Sequence, residues 1–426
     1  MVLMRTLRMG LCAVVCMSAI ACGGGGGNTA ASGSSSGGGG TGSSSSGGSS
    51  SSSGATTGNV ASVIIDQGPS NASVNTMFAT ITVCVPGSTT SCQTINHIQV
   101  DTGSYGLRIL APVLTLTLPV ETLANGNSLA ECAQFVDGFS WGPIVSADVQ
   151  IAGETAHSLP VQAIGDSRFT NIPANCSKTG GTQEDTVATF GANGILGIGP
   201  FELDCGDCDT VTQGLYYACA ASCTDTTVPL NLQVANPVTH FAADNNGEII
   251  MLPSVAAAGA SNVSGSLIFG IDTQSNNASG TQTVLTVNQN GELLMTFNGQ
   301  SLANSFIDSG SNGIYFHDSS IVTCTAPPND PTSQIVNFYC PASTLTLPLS
   351  IQGMNGVMAN NLTFSVGNAQ TMLNNNSDAY PQLAGTLPAG NTGTFDYGLP
   401  FFFGRRVAVA VENKTTTVGT GPYIAF

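Results

Sequence analysis

Two short segments about two hundred residues apart constrain this chain more than any other feature: Ile98-Gln99-Val100-Asp101-Thr102-Gly103-Ser104 and Phe306-Ile307-Asp308-Ser309-Gly310-Ser311. Each is an apolar stretch running into an acid, then a small hydroxyl residue, glycine and serine. Two carboxyl groups brought together form an acid/base site, because like charges about 3 Å apart cannot both ionise and the pair divides into one acid and one base. One copy would carry little weight. Two copies predict a fold whose halves each deliver one loop to a shared centre.

At 426 residues the chain exceeds one ordinary domain, so a two-lobed body is expected. Residues 1–21 stand apart from it. Arg5 and Arg8 precede an apolar run from Met9 to Ala21 that is too short to span a bilayer, the pattern of a cleaved signal peptide. The run ends Ala19-Ile20-Ala21-Cys22-Gly23, which resembles the lipobox of bacterial lipoproteins and implies lipidation of Cys22. Residues 22–58 are almost pure Gly and Ser, a tether that cannot bury apolar surface, with a root-mean-square reach of about 33 Å. The expected location is the bacterial cell envelope, lipid-anchored. Gly23 in place of aspartate leans toward the outer membrane, by resemblance to lipoprotein sorting.

Formal net charge is −17, with only 8 Lys and Arg. Such a surface repels nucleic acid and anionic headgroups, so neither is an expected partner. It also suits low pH, although solubility alone would account for it. Of thirteen cysteines, Cys12, Cys16 and Cys22 fall in the leader and ten in the body. An even count in an exported chain points to disulfides. Spacing favours Cys84 with Cys92 and Cys324 with Cys340, and more loosely Cys132 with Cys176. Cys205, Cys208, Cys219 and Cys223 have the ligand count of a zinc site, but the inner spacing and an oxidising compartment favour two nested bridges.

From Val60 onward, short alternating apolar stretches broken by Gly, Asn, Ser and Thr predict an all-β protein. Examples are Phe78 to Val83, Ile95 to Val100, Ile144 to Ile151, Ser266 to Ile271, Leu293 to Phe297 and Val407 to Val411. A single helix is expected around Leu230 to Ala243, interrupted by Pro237. The surroundings of the two acids match: a strand and hairpin precede each, and an apolar pair with glycine follows each, Ile195-Leu196-Gly197 for the first and Phe402-Phe403-Gly404 for the second. A duplicated β lobe is expected, the first over 59–255 and the second over 256–426.

This arrangement resembles the pepsin-like aspartic peptidases, with Asp-Thr/Ser-Gly at a loop tip in each lobe and an apolar-apolar-Gly strand behind it. Gly194-Ile195-Leu196-Gly197-Ile198-Gly199, Gly265-Ser266-Leu267-Ile268-Phe269-Gly270-Ile271-Asp272 and a closing Tyr423-Ile424-Ala425-Phe426 match in order. The leader, tether and cysteine pattern also look like an uncharacterised family of proteobacterial lipoproteins. The resemblance implies a two-lobed acid-protease fold with a cleft between lobes. Asp101 and Asp308 would activate one water against the peptide bonds of an extended polypeptide, with no metal and no cofactor, in a monomer. It implies that Gly103 and Gly310 bring backbone amides to the carboxylates, that Ser104 and Ser311 bond their outer oxygens, and that Thr102 and Ser309 cross-link the loops. It places the flap at Phe135, Gly138 and Trp141.

Two departures matter. Phe135 stands where the family has a tyrosine, and Arg108 where it has the tryptophan that bonds that tyrosine. The chain also lacks the family's basic prosegment, as some bacterial relatives do. The rival expectation is a non-catalytic lipoprotein that captures peptide or glycan in the same cleft.

Other motifs carry less. Gly138-Phe139-Ser140-Trp141-Gly142 fits a Gly-x-Ser-x-Gly elbow, but Pro143 and the strand-like residues beyond it leave no helix. His97, His157, His240 and His317 lack ligand spacing. Asn277 and Asn361 lie in glycosylation-like triplets expected by chance. Asp244-Asn245-Asn246-Gly247 lacks the downstream acid of a calcium loop and is expected to be a turn.

Overall fold

Period-two alternation dominates the local structure, and each strand forms where the sequence offers one apolar face. In Leu293–Phe297 the first, third and fifth side chains are buried and the two between are half-buried. Cys92–Asp101 changes character along its length: its first half is partly exposed, whereas Ile98, Gln99, Val100 and Asp101 are all buried. The change follows His97, which adopts φ 51°, where pairing with Met77–Cys84 shifts register between Ala79 and Ile81. Such a bulge re-aims the strand beyond it, here the segment that ends on Asp101.

The computed structural model describes residues 58–135, 138–177, 181–328, 330, 333–387 and 391–426. The leader, Cys22 and all but the last residue of the tether lie outside the described residues, as do 136–137 in the 135–141 hairpin. The protein is all-β, with a 16-stranded sheet, a seven-stranded sheet and a two-stranded ribbon. The larger sheet draws on both ends of the chain. Val60–Ile65 pairs antiparallel with Val263–Phe269, and Gly247–Met251 lies between Val263–Phe269 and Arg406–Ala410. Pairing is therefore continuous across the boundary drawn at 255/256. No helix among the described residues is long and apolar enough to cross a membrane.

A repeated topology surrounds the two acids. Cys92–Asp101 runs parallel to Gly194–Ile198, and Tyr105–Leu110, on the far side of the Asp101 loop, pairs antiparallel with that same strand. Gln300–Ile307 likewise runs parallel to Asp396–Tyr397, with Ile314–Tyr315 antiparallel to it. Outside each triple lies a further parallel partner, Glu154–Ile164 for the first and Ala384–Gly385 for the second. Glycine closes each threading strand for a steric reason. A side chain at Gly197 would run into the backbone of Ser104 and Tyr105, and one at Gly398 into that of Ser311 and Gly313.

Three expectations are corrected. The second threading strand is Asp396–Tyr397 with Gly398, whereas Phe402-Phe403-Gly404 lies beyond the 3-10 turn Leu399–Phe401. An acid inside the true strand breaks the purely apolar pattern that Phe402-Phe403 satisfies. The helix expected over Leu230 to Ala243 is two 3-10 turns, Leu230–Leu232 and Pro237–His240, because Pro237 cannot donate within a longer helix. The four clustered cysteines form Cys205–Cys208 and Cys219–Cys223, side by side and not nested. Hairpin register sets Cys219 opposite Cys223, which leaves Cys205 and Cys208 to each other. Cys84–Cys92, Cys132–Cys176 and Cys324–Cys340 complete five bridges.

One large apolar cluster runs through both repeats, from Ile98, Val100 and Leu196 to Ile307, Phe316, Phe395 and Tyr397. Phe316 and Phe395 stack with centroids 5.3 Å apart. These residues form the floor from which both acidic loops project.

Candidate active site

Each acid is the residue at which a buried strand gives way to a loop, so its carboxyl inherits the strand's burial. Asp101 and Asp308 are fully buried with their carboxyls side by side: a Cβ at Gly310 would run into Asp101 Oδ1 and lie 3.1 Å from Asp308 Oδ1. Gly103 N–H donates to Asp101 Oδ1 at 2.8 Å, and Gly310 N–H to Asp308 Oδ1 at 2.6 Å. The Ser104 hydroxyl donates to Asp101 Oδ2, and that of Ser311 to Asp308 Oδ2 at 3.0 Å. A side chain at Gly310 would collide with the Asp101 carboxyl, so close approach of the loops requires glycine there.

The loops are tied reciprocally. Thr102 N–H donates to Ser309 Oγ at 3.1 Å, and Ser309 N–H to Thr102 Oγ1 at 3.0 Å. The Ser309 hydroxyl donates onward to Val100 O at 2.9 Å, and Gln99 Nε2 to Gly310 O at 3.0 Å. Buried backbone donors are thus satisfied across the junction rather than within either loop.

Electrostatics separate the two carboxyls. Burial raises Asp101 above its ordinary value, opposed by the hydrogen bonds from Asp308, Ser104 and Gly103 and by the charge of Arg108. Burial lifts Asp308 well above its ordinary value, and the charges of Asp101 and Asp396 push the same way. The arrangement favours a negative charge on Asp101 and a proton on Asp308.

Sequence reasoning missed Asp396. It is fully buried, its Oδ2 lies 2.6 Å from Ser311 Oγ, and burial lifts it well above its ordinary value. The available signal was an acid two residues before a glycine, Asp396-Tyr397-Gly398, at the position Ile195 holds before Gly197. Gln99 was also missed. Nothing local marks a glutamine in a strand as a tie to a loop 211 positions away.

Arg108 was noticed for what it replaces, but its partners were not. Its buried guanidinium grips Glu131, donates to Asp204 Oδ2 at 2.8 Å and to Tyr105 O at 2.7 Å. Tyr216 O–H donates to Asp204 Oδ1 at 2.6 Å. Burial alone would lower Arg108, yet Glu131 and Asp204 reverse this and raise it. Glu131 lies on Ser128–Gln134, the strand that leads into Phe135, so the network fixes that hairpin to Tyr105–Leu110.

The three flap positions are structural in their contacts. Phe135 is buried against Ala133, Ile195 and Phe190, and its N–H donates to Gly138 O at 2.7 Å. A side chain at Gly138 would meet Thr182 O and Glu184. Trp141 Nε1–H donates to Phe169 O at 2.7 Å and its ring meets Tyr217 edge-on. Ser140 lies inside Gly138–Ile151, its hydroxyl bonded to Gln162 Oε1 at 2.7 Å, so it is no nucleophile elbow. Cys205 and Cys208 are bonded to each other and offer no thiolate to zinc. His97 and His157 pair with Asp66 and Asp148.

Residues 55–426 match the family described as "Protein of unknown function (DUF3443)". No curated protein matches the chain.

Proposed function

Since the chain belongs to this family, whose description carries no activity, we propose its function from the site: a lipid-anchored aspartic endopeptidase of the pepsin-like class, two-lobed, with a cleft that takes extended polypeptide. The observation that carries the reading is the buried, side-by-side Asp101–Asp308 pair on reciprocally tied loops.

Asp101, favoured as the ionised partner, takes a proton from a water held between the carboxyls. The resulting oxygen nucleophile attacks the scissile carbonyl carbon while Asp308 gives its proton to the carbonyl oxygen. The tetrahedral diol collapses when Asp101 returns a proton to the amide nitrogen and the C–N bond breaks. A diol hydroxyl proton returns to Asp308, which restores the starting state. The steps use only the one proton the pair holds at the outset and those of the attacking water.

Activity on an unfolded polypeptide should follow a bell in acidic pH. Asp101→Asn and Asp308→Asn should each lose about 10³-fold or more, and the double variant little beyond either, since residues acting as a unit are not additive. Cleavage that persists in either folded variant would overturn the reading. The anchor is tested separately: Cys22→Ser should move the protein from membranes to the soluble fraction, and unchanged retention would remove lipidation from the proposal.

One observation favours a binding lipoprotein instead. Phe135 has no hydroxyl and is packed against Ile195 and Phe190. That reading expects peptide or glycan binding that survives Asp101→Asn, with no cleavage by the wild-type protein.

A further inference from the structure

We propose that Asp396 is a positioning residue of the Asp101–Asp308 pair, acting through the Ser311 hydroxyl to hold the outer oxygen of Asp308 and to extend toward neutral pH the range in which Asp308 keeps its proton. The inference rests on the two-carboxyl reading above.

The geometry contains a proton count. Ser311 Oγ lies 3.0 Å from Asp308 Oδ2 and 2.6 Å from Asp396 Oδ2. A hydroxyl has one proton to donate, so it cannot serve two ionised carboxylates. One of the two acids must therefore donate to Ser311. Asp308 Oδ1 already accepts from Gly310 N–H. Asp396 Oδ1 is buried without a hydrogen-bond partner among the described residues, a setting hostile to a negative charge. The proton therefore sits on Asp396 Oδ2. The chain runs from Asp396 O–H to Ser311 Oγ, and from Ser311 O–H to Asp308 Oδ2.

The groups facing Asp396 are few. Ser311 comes from the loop after Gln300–Ile307, Asp308 from the end of that strand, and Asp101 acts across the junction from Cys92–Asp101. On the flanking strands, Phe306 and Tyr315 stand opposite it in register; Tyr315 directs its hydroxyl to Asn312. Arg108 acts on Asp101. The first loop has no counterpart, because Ile195 holds the matching position and Ser104 serves Asp101 alone.

The consequence is directional. When Asp396 loses its proton, Ser311 turns its own toward the new carboxylate, and Asp308 Oδ2 loses a donor while a negative charge appears beside it. Both changes hold the Asp308 proton more firmly, so the alkaline limb of the activity bell lies at higher pH than the Asp101–Asp308 pair alone would set.

Asp396→Asn tests this, since an amide donates to Ser311 but cannot ionise. On the acid side its kcat/KM for an unfolded polypeptide should stay within about threefold of wild type. Its alkaline limb should move to lower pH by about one unit, the scale at which neighbouring carboxyls titrate together. Ser311→Ala, which breaks the relay, should shrink the shift that Asp396→Asn produces. Infrared difference spectra of the intact wild type against Asp396→Asn should show a protonated-carboxyl C=O band in the wild type on the acid side of the bell that is gone by the alkaline limb, a readout independent of turnover. An unmoved alkaline limb in folded Asp396→Asn, or no such band, overturns the inference. Cleavage retained by Asp308→Asn would instead overturn the endopeptidase reading, and the infrared comparison would still decide the protonation of Asp396.

Discussion

The loops around Asp101 and Asp308 share sequence, backbone hydrogen bonds and a reciprocal Thr102–Ser309 tie, yet their surroundings differ. Asp101 is served by Ser104 alone on its outer oxygen and lies within the field of a buried arginine. Asp308 shares its serine with a third acid, and the charges of Asp101 and Asp396 push it up. The motif sets where two carboxyls meet. Neighbours far away in sequence, Arg108 on one side and Asp396 on the other, decide which of them holds the proton. The fold itself thereby makes the two carboxyls unequal.

The larger way to break that comparison is at Arg108. Arg108→Met should cost about 3–5 kcal/mol in denaturant unfolding, because it leaves Glu131 and Asp204 buried without their cation. Burial and the charge of Glu131 already raise Asp204 well above its ordinary value, against the pull of Arg108. On the endopeptidase proposal, loss of the arginine should also move the acid limb of the pH–activity profile to higher pH, since its charge holds Asp101 down. Unchanged stability and an unchanged acid limb would show that Arg108 does not distinguish the two loops.

A smaller effect sharpens the comparison from outside the pair. Glu248 is fully buried on Gly247–Met251, both carboxyl oxygens lack partners among the described residues, and burial lifts it well above its ordinary 4.5. The native state thus keeps a proton that the unfolded chain releases. This contribution to stability is fully present below the unfolded value near 4.5 and is lost as pH rises from there through the folded value. Glu248→Gln should leave stability near pH 4 within about 1 kcal/mol and flatten the decline toward neutral pH. An equally steep decline in the variant would assign the pH dependence to Asp308 and Asp396 instead.

Much of the architecture was legible along the chain. Leu293 to Phe297 was read with its observed bounds, and Cys84 with Cys92 and Cys324 with Cys340 followed from spacing. Errors arose where a local pattern competed with a distant one. Phe402-Phe403-Gly404 satisfied an apolar template better than Phe395-Asp396-Tyr397-Gly398, although only the latter lies between Gln300–Ile307 and Ile314–Tyr315. Cys205, Cys208, Cys219 and Cys223 looked nested until hairpin register set Cys219 opposite Cys223.

By itself the sequence determined the β character, through period-two alternation, and the two acid loops, through a motif short enough for its glycine and serine to serve their own aspartate. Those interactions span two or three residues and survive being read along a line. Only the tertiary structure decided the partners of Arg108, 23 and 96 positions away, and the arrival of Asp396 at Ser311 across 85. A buried charge is stabilised by whatever the fold brings within hydrogen-bond reach, and no periodicity in the chain encodes that meeting.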